Sequence, residues 1–455
     1  MDIPSSVDAL LERLWAHGHA AYVVGGSLRD ALLGRTPADW DLATDARPDR
    51  VLAIFPGSIY ENRFGTVAVR EGDDVHEITT FRVDHDYADF RRPHHVEFGD
   101  RIEDDLARRD FTINAMAWGA GPAAAGSAVG VARPTPRLVD PFGGTADAEA
   151  SILRAVGDPA ARFEEDALRM VRAVRLAATL EFRVEAATLA AIHRNAGLAR
   201  HLSGERLAME LERLLGALRP SLGLRLLDDT GLLAVISPEL AAQRGVPQNK
   251  IEGEDLWDHT VRTVDAAPPG RPVVRLAALV HDIGKPVTLD DGPFRGHEVV
   301  GASLAVGLLE RLRLPKAVIE RVERLVRHHM FTYEPDWGDA GVRRFIRRVG
   351  RAELEDLFAL RVADNLGSGL PADAGELDEL RRRVHDQLAA AAVLDRGGLA
   401  VDGDDLIRDL GMPQGPTLGR ILDRLLERVI ADPSINDRPT LLLIAEELLA
   451  EEASE

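Results

Sequence analysis

Two acids one residue apart, Asp39 and Asp41, follow an apolar run and a glycine pair: Val23-Val24-Gly25-Gly26-Ser27-Leu28-Arg29-Asp30, a turn at Gly34 and Pro37, then Asp39-Trp40-Asp41-Leu42. The run reads as a strand, and a helix is expected to open on Ser27 or Leu28. Glycines let a backbone approach phosphates closely, and a helix N-terminus points its N–H groups at an anion. Alternate residues of a strand face the same way, so a second strand carrying Asp39 and Asp41 aims both carboxylates at one point. Carboxylates converging beside an anion site are what a pair of Mg²⁺ ions requires to transfer a nucleotidyl group. Taken singly, the glycines also read as a tight turn and the acids as solvated strand residues. Their combination is what points to chemistry.

A second constellation lies in the C-terminal half. Asp258-His259-Thr260, His281-Asp282-Ile283-Gly284-Lys285, Gly296-His297-Glu298, His328-His329 and Asp364 follow one another on stretches that read as helices. Imidazole and carboxylate donors suit a divalent transition metal or Mg²⁺, and an acid such as Asp282 can bridge two ions. A lone histidine is more often a satisfied core or surface residue, so the argument rests on the series.

These groups need elements to hold them. At 455 residues the chain exceeds what one core encloses, about 250 to 300 residues, so several domains are expected. Strand-like stretches are sparse after the first third, which favours a mostly helical body. There is no cysteine, so any metal must use His and carboxylates. No apolar run approaches a membrane span and the N-terminus lacks a signal-peptide core, so a cytoplasmic setting without a membrane partner is expected. A net charge of −20 argues against indiscriminate RNA binding over the whole surface. A local basic stripe still acts within a Debye length, so selective binding stays open.

Along the chain, residues 5–18 read as an amphipathic helix through Val7, Leu10, Leu11 and Leu14. Strands are expected at 59–60, 66–69 and 75–81, the last carrying Glu77, and 81–93 reads as a charged polar loop. Glu103-Asp104-Asp105 leads through Arg108-Arg109-Asp110 to Asn114, and 119–132 is a Gly/Ala-rich expansion read as a surface loop without function. Phe163 to Arg175 reads as one helix, on which Asp166 and Arg169 are three apart and share a face. On spacing alone that pair is an intrahelical salt bridge. Leu202-Ser203-Gly204-Glu205-Arg206 opens another helix with a serine cap. Arg344, Arg348 and Arg351 fall on one helical face, a candidate RNA backbone contact or a solvated charge stripe. Residues 216–250 read as a helical body. The tail from about 371 reads as Leu-rich helices ending in a fraying Glu451 to Glu455.

From about residue 20 to 215 these stretches, in order, resemble the polymerase-β-like nucleotidyltransferases. More narrowly, they look like the bacterial and eukaryotic branch of tRNA nucleotidyltransferases (CCA-adding enzymes) and bacterial poly(A) polymerases. The resemblance implies Asp39 and Asp41 as catalytic Mg²⁺ ligands, with Glu77 as a third carboxylate or simply a surface-strand acid. It implies Gly25, Gly26, Arg29 and Arg109 as the phosphate cradle, Arg109 and Asn114 as sugar or triphosphate contacts, and Asp110 as a helix-start anchor. Asp166 and Arg169, with Arg172 beside them, match the base-selecting motif. There a carboxylate accepts from the exocyclic amine shared by C and A, and an arginine donates to the ring acceptor next to it. U and G present the opposite polarity and leave groups unpaired, at about 1–3 kcal/mol each. The segment 81–93 occupies the place of the family's flexible loop between the first two motifs, which argues against an enzyme adding only CC.

The His/Asp series resembles the HD superfamily of metal-dependent phosphohydrolases. His259, His281, Asp282 and Asp364 match its four metal ligands, while His297 and one of the adjacent pair His328-His329, read as His328, match positions for a second metal or a phosphate. The expected fold class is α+β: a small nucleotidyltransferase head with a mixed sheet over 1–145, a helical neck over 146–216, a helical body over 217–255, an HD domain over 256–370 and a helical tail over 371–455. The implied activity is template-independent addition of C, C and A to tRNA from CTP and ATP, with Mg²⁺ in the head and a divalent metal in the HD domain. Poly(A) polymerase, A-only or CC-only addition share the same motifs. An HD phosphohydrolase with an RNA-binding head is the alternative from another class.

Overall fold

The computed structural model describes residues 3–60, 65–87, 93–121, 134–248, 250–289, 294–390 and 393–452. The chain forms two compact units, Met1–Ala241 and Ala242–Glu455. The boundary falls inside the segment 217–255 that the sequence reading kept as one body.

In the first unit, α1 (Ser5–Ala16) buries Val7, Leu10, Leu11 and Leu14, the stripe its spacing predicts. The sheet is built from β1 (Ala21–Val24), β2 (Asp41–Thr44), β3 (Ile59–Tyr60), β4 (Thr66–Glu71), β5 (Asp74–Thr80), β8 (Ala117–Ala120) and β9 (Arg137–Val139), in the order β3-β4-β5-β2-β1-β8-β9. The pair β2–β5 is parallel and β1–β2 antiparallel, so the sheet is mixed as expected. Alternation along the strands divides the core. Ala21, Val23 and Leu42 join α1 on one face; Tyr22, Val24 and Ala43 join Phe81, Ile102 and Leu106 on the other. The helices on the sheet are α2 (Gly25–Leu32), α3 (Pro48–Ile54) and α4 (Ile102–Ala107).

Three local expectations shift. The second helix starts at Gly25 rather than Ser27. Asp39 sits in a bend before β2, which begins at Asp41. Much of the expected loop 81–93 is a hairpin of β6 (Arg82–Tyr87) and β7 (Pro93–Phe98) paired antiparallel, with residues 88–92 outside the described residues. Within the Gly/Ala-rich stretch, 122–133 also lie outside them.

After α5 (Gly144–Glu149) the unit is helical apart from a short parallel ladder of Ile152–Leu153 with Arg183–Val184: α6 (Pro159–Glu165), α7 (Leu168–Leu180), α8 (Ala186–Asn195), α9 (Gly204–Leu215), α10 (Pro220–Asp229), α11 (Leu232–Ile236) and α12 (Pro238–Ala241). The single helix expected over 163–175 is broken at Asp166, whose backbone is extended (φ −146°). Its carboxylate accepts from the Leu168 amide at 3.0 Å, and capping a new helix start offsets the lost ladder bonds. Ser203 stands at the start of α9 as expected, but its hydroxyl makes no capping bond.

In the second unit, the described residues between 242 and 255 are irregular rather than helical. A reciprocal capping box between Asp255 and Asp258 then starts α13 (Leu256–Ala266). There follow α14 (Pro272–Val280), α15 (His297–Arg311), α16 (Lys316–His328), α17 (Asp339–Val349) and α18 (Leu354–Gly367). The tail is α19 (Leu377–Ala389), α20 (Gly403–Leu410), α21 (Pro416–Ala431) and α22 (Arg438–Glu452), with its own core of Leu406, Ile421, Leu425, Leu441 and Leu448. Of the end expected to fray, Glu451 and Glu452 are helical and pair with Arg424 and Arg420, while 453–455 lie outside the described residues. Helices α13 and α18 cross closely at Gly367, where an added Cβ would lie 2.2 Å from Thr263 Oγ1. His259 and Asp364 each stand about one turn from that crossing.

Candidate active site and metal centre

The sheet positions two of the head's acids, Asp41 and Glu77, while Asp39 stands in the bend before β2. Asp41 shares the face of Ala43, the face covered by α4, and Arg108 and Arg109 stand at the end of α4. Gly25 lies beneath them with φ +74°; a Cβ there would sit 3.0 Å from Arg109 Nη1 and 3.6 Å from Asp41 Oδ2. Only glycine serves where a positive φ and this close approach coincide. Gly26 abuts the Arg29 guanidinium. Glu77 is the registered neighbour of Asp41 across the parallel pair, so both residues stand on one face of the sheet. Asp39 and Asp41 are solvent-accessible. Partial desolvation raises the Asp41 carboxyl pKa; Arg109 works against that and Asp39 adds to it.

Arg109 is aimed by Asp105, which it meets at 3.1 Å, while Arg108 meets the other oxygen at 2.6 Å. Burial works against the Asp105 charge, but the two guanidiniums hold its carboxyl down at about 2. Arg29 faces inward. It is 8% exposed, donates to Asp30 and gives Nη1 to Asn114 Oδ1 at 2.7 Å. Asn114 in turn donates to Asp110 at 3.0 Å, and Arg172 grips the other Asp110 oxygen at 2.9 and 2.7 Å. Asp110 accepts from the Phe111 amide just before the short 3₁₀ turn Thr112–Asn114, but its larger part is as hub of this chain. Against its burial, Arg172 and Asn114 keep its carboxyl at about 2. Of the expected nucleotide contacts, Arg29, Asn114 and Arg172 are thus tied to one another through Asp110.

Asp166 and Arg169 do not pair with each other. Asp166 Oδ2 accepts from Arg206 at 2.7 Å. Arg169 bonds Glu165 at 2.6 Å and the carbonyls of Arg162 and Arg108 at 3.1 and 2.9 Å. Arg206, to which its sequence motif assigns no role, is thus the side-chain partner of Asp166.

The second unit assembles its site from five helices. His259 projects from α13, His281 and Asp282 follow α14, His297 opens α15, and Asp364 lies on α18. His259 Nε2 is 3.2 Å from His281 Nε2 and from Asp364 Oδ1, and 3.4 Å from Asp282 Oδ2. His297 Nε2 lies 3.3 Å from Asp282 Oδ1. The sixth group is His329, just past α16, not the expected His328: its Nε2 is 3.3 Å from His297 Nε2 and 3.6 Å from Asp282 Oδ1. His328 is half-buried elsewhere, where burial and then Arg348 and Arg327 lower its pKa. The expected pair His297 and His328 is therefore corrected to His297 and His329.

Three of these imidazoles share a tether. Nδ1 of His281, His297 and His329 meets the carbonyls of Ala278, Phe294 and Val326 at 2.8, 2.7 and 2.6 Å. Such a bond fixes the tautomer with Nδ1–H donating, so each Nε2 lone pair faces the centre, the usual arrangement behind metal ligands. Asp282 Oδ1 is buried and accepts no hydrogen bond among the described residues. Among them, the two groups of three His or acid side chains with ligand atoms within 4.8 Å of one another are His259, His281, Asp282 and Asp282, His297, His329. Lys285 reaches Asp282 at 2.6 Å and Lys250 lies 3.5 Å from Asp364; sequence reasoning assigned neither a role. Burial depresses the Lys250 pKa, with Asp364 opposing it.

The arginine face expected at 344–351 is not one face. Arg344 and Arg348 lie exposed on α17, but Gly350 (φ +92°) ends the helix before Arg351. Arg344 is 3.6 Å from Glu427.

Three family descriptions match the chain: Poly A polymerase head domain over residues 21–154, Probable RNA and SrmB-binding site of polymerase A over 181–244, and HD domain over 257–368. The CCA-adding enzyme of Geobacillus stearothermophilus is 33% identical over 431 residues, covering 94% of this chain and 93% of that protein. The CCA-adding enzyme of Bacillus licheniformis is 38% identical over 440 residues, covering 95% of each. Among solved structures, Bacillus stearothermophilus CCA-adding enzyme in complex with CTP superposes with a TM-score of 0.73 at 29% identity over 100% of both chains. The Thermotoga maritima CCA-adding enzyme complexed with tRNA shares the fold, with a TM-score of 0.56 at 20% identity over 97% of this chain and 94% of that one. Aligned with these relatives from head to tail, the chain belongs to the CCA-adding enzyme family of nucleotidyltransferases.

Proposed function

We propose that this chain adds C, C and A in turn to the 3′ end of tRNA without a template, consuming CTP and ATP and releasing pyrophosphate. The observation that carries the reading is the meeting of Asp41, Arg109 and the Gly25 backbone at one end of the sheet, with Asp39 beside them. The donor set fits Mg²⁺: hard carboxylate oxygens whose mutual repulsion a divalent cation would relieve. Asp39 and Asp41 would hold it, with Glu77 next to them. Bound there, Mg²⁺ supplies Lewis-acid activation of the RNA 3′-hydroxyl and charge neutralisation at the triphosphate.

The remaining work falls to the protein. Gly25 and Gly26 let the triphosphate approach the backbone, and Arg109, held by Asp105, donates to its oxygens. Arg29, Asn114, Asp110 and Arg172 brace the cradle from behind and join it to the neck. Asp166 accepts from the amine that C and A share, and Arg169, braced by Glu165, donates to the ring acceptor beside it. The activity belongs in the cytoplasm, where tRNA and nucleoside triphosphates meet.

Extension of a tRNA transcript lacking its 3′ CCA, with Mg²⁺ and CTP and ATP separately and together, tests this. Growth by C, C and A only with both nucleotides supports it. A long ladder with ATP alone means a poly(A) polymerase, and a single A on a CC-ended transcript means an A-only enzyme.

A second reading concerns the other unit. We propose that His259, His281, Asp282, Asp364, His297 and His329 hold divalent metal and hydrolyse phosphoesters, on RNA 3′ ends or nucleotides. The inward Nε2 lone pairs and the unsatisfied Asp282 Oδ1 support it. Metal-dependent hydrolysis of bis-p-nitrophenyl phosphate by the full chain tests it; no turnover with any of Mg²⁺, Mn²⁺, Co²⁺ or Ni²⁺ would reduce this site to a structural one.

A further inference from the structure

The buried centre of the second unit divides at Asp282. Its Oδ1 lies 3.3 Å from His297 Nε2 and 3.6 Å from His329 Nε2, which are 3.3 Å from each other. Both imidazoles give Nδ1–H to a carbonyl, that of Phe294 or Val326, so each turns an unprotonated Nε2 inward. Three acceptors therefore converge with no proton among them, and Asp282 Oδ1 is buried without a hydrogen bond among the described residues. Acceptors left so in a protein interior call for a cation. Donor atoms held about 2.1 Å from one ion stand about 3.0–3.4 Å apart, close to these spacings.

The other half is satisfied from within. Asp282 Oδ2 accepts from Lys285 Nζ at 2.6 Å and from Gln248 Nε2 at 3.4 Å. Across from it, Lys250 Nζ stands 3.5 Å from Asp364 Oδ1 and donates to Ser368 Oγ at 2.8 Å. His259 differs from the other three imidazoles: its Nδ1 has no partner among the described residues, so no carbonyl keeps the proton away from Nε2. From Nε2 the proton reaches Asp364 Oδ1 or the His281 lone pair, each at 3.2 Å. Two lysines and one imidazole proton thus already answer both acids of this half. An incoming dication would have to displace that proton and face both lysine charges.

We infer that the two halves fill unequally: Asp282 Oδ1, His297 and His329 take the first divalent ion, and the half of His259, His281 and Asp364 takes a second ion only weakly. The inference rests on the reading of these six side chains as a metal centre. It reverses the order that the family resemblance implies, in which His259, His281, Asp282 and Asp364 are the main ligands. Two imidazole nitrogens and one carboxylate oxygen suit Co²⁺, Ni²⁺ or Zn²⁺ better than Mg²⁺.

The test is calorimetric titration of the metal-free full chain with Co²⁺, in an Asp39→Ala/Asp41→Ala background so that the head binds none. One ion should enter tightly, and a second at least about tenfold more weakly or not at all. His297→Ala should abolish the tight step, whereas His259→Ala should leave its Kd within about threefold. Lys285→Met should strengthen the second step about threefold or more, because one of the opposing charges is gone. Loss of the tight step in His259→Ala, or its survival in His297→Ala, overturns the inference. Two steps of equal affinity in the parent, or a second step unmoved by Lys285→Met, overturn it as well. Should His297→Ala fail to fold, His297→Gln and His329→Ala are read by the same criteria. If the parent binds no Co²⁺ at all, the reading of this centre as a metal site fails, and the order of filling falls with it.

Discussion

The two candidate metal sites are built on opposite plans. In the head, Asp39 and Asp41 are accessible, one in a bend and one at a strand start, and among the described residues they belong to no tight three-ligand group. In the second unit, six side chains from five helices close on one buried centre, with every Nε2 within 3.6 Å of Asp282 or a neighbouring imidazole. The difference follows from where the remaining ligands come from. A site that takes Mg²⁺ with a nucleoside triphosphate needs few protein carboxylates, because phosphates and water fill the other positions. A site that keeps its metal between turnovers must supply the ligands itself and lock them from behind.

The sharpest way to break this comparison is to strip each site in turn. Asp39→Ala with Asp41→Ala should lower nucleotide incorporation by about a thousandfold or more while leaving metal bound by the purified protein unchanged. His281→Ala with Asp282→Ala should do the reverse: metal content, read by plasma mass spectrometry, falls to background and incorporation stays within about twofold. Incorporation collapsing in both variants would mean that the two plans are not separate. Within the buried site, His329→Ala should weaken metal binding about 10- to 100-fold whereas His328→Ala leaves it alone.

A smaller effect concerns what braces the head. Breaking the buried pair of Asp110 and Arg172 by Asp110→Asn should remove about 3 kcal/mol, seen as a lower urea midpoint at pH 7. Folded Asp110 and Asp105 titrate at about 2; unfolded, they titrate at about 4. Their contribution is therefore full above about pH 4 and is lost as the pH falls toward 2. The gap between wild type and Asp110→Asn should narrow over that window; a constant gap would show that the Asp110 charge does not matter.

Period-two alternation put Asp39 and Asp41 on one strand, but Asp39 sits in the bend before β2. Glu77 entered only through the family resemblance, because alternation within a strand does not set the register that pairs it with Asp41. The ordered motifs pointed to both candidate sites before any coordinates. What escaped had physical causes. The break at Asp166 is invisible to helical periodicity because an acid inside a helix and an acid capping one look alike in sequence. Arg29 read as a phosphate ligand because its inward partner, Asn114, lies 85 residues away. The choice between His328 and His329, by contrast, was legible. The buried stripe of α16 runs through Ile319, Val322, Leu325 and Val326. At about 100° per residue His329 falls roughly 30° from its middle and His328 roughly 130° away.

The close crossing at Gly367 works as a caliper for the buried site. A side chain there would have to push Thr263 from 2.2 Å to beyond 3.0 Å, parting the helices that carry His259 and Asp364. Metal coordination tolerates ligand displacements of only about 0.2 Å. A position with no donor atom, outside every ligand motif, would thus set the size of ion the candidate site could hold, and a change there would look in an assay like the loss of a ligand.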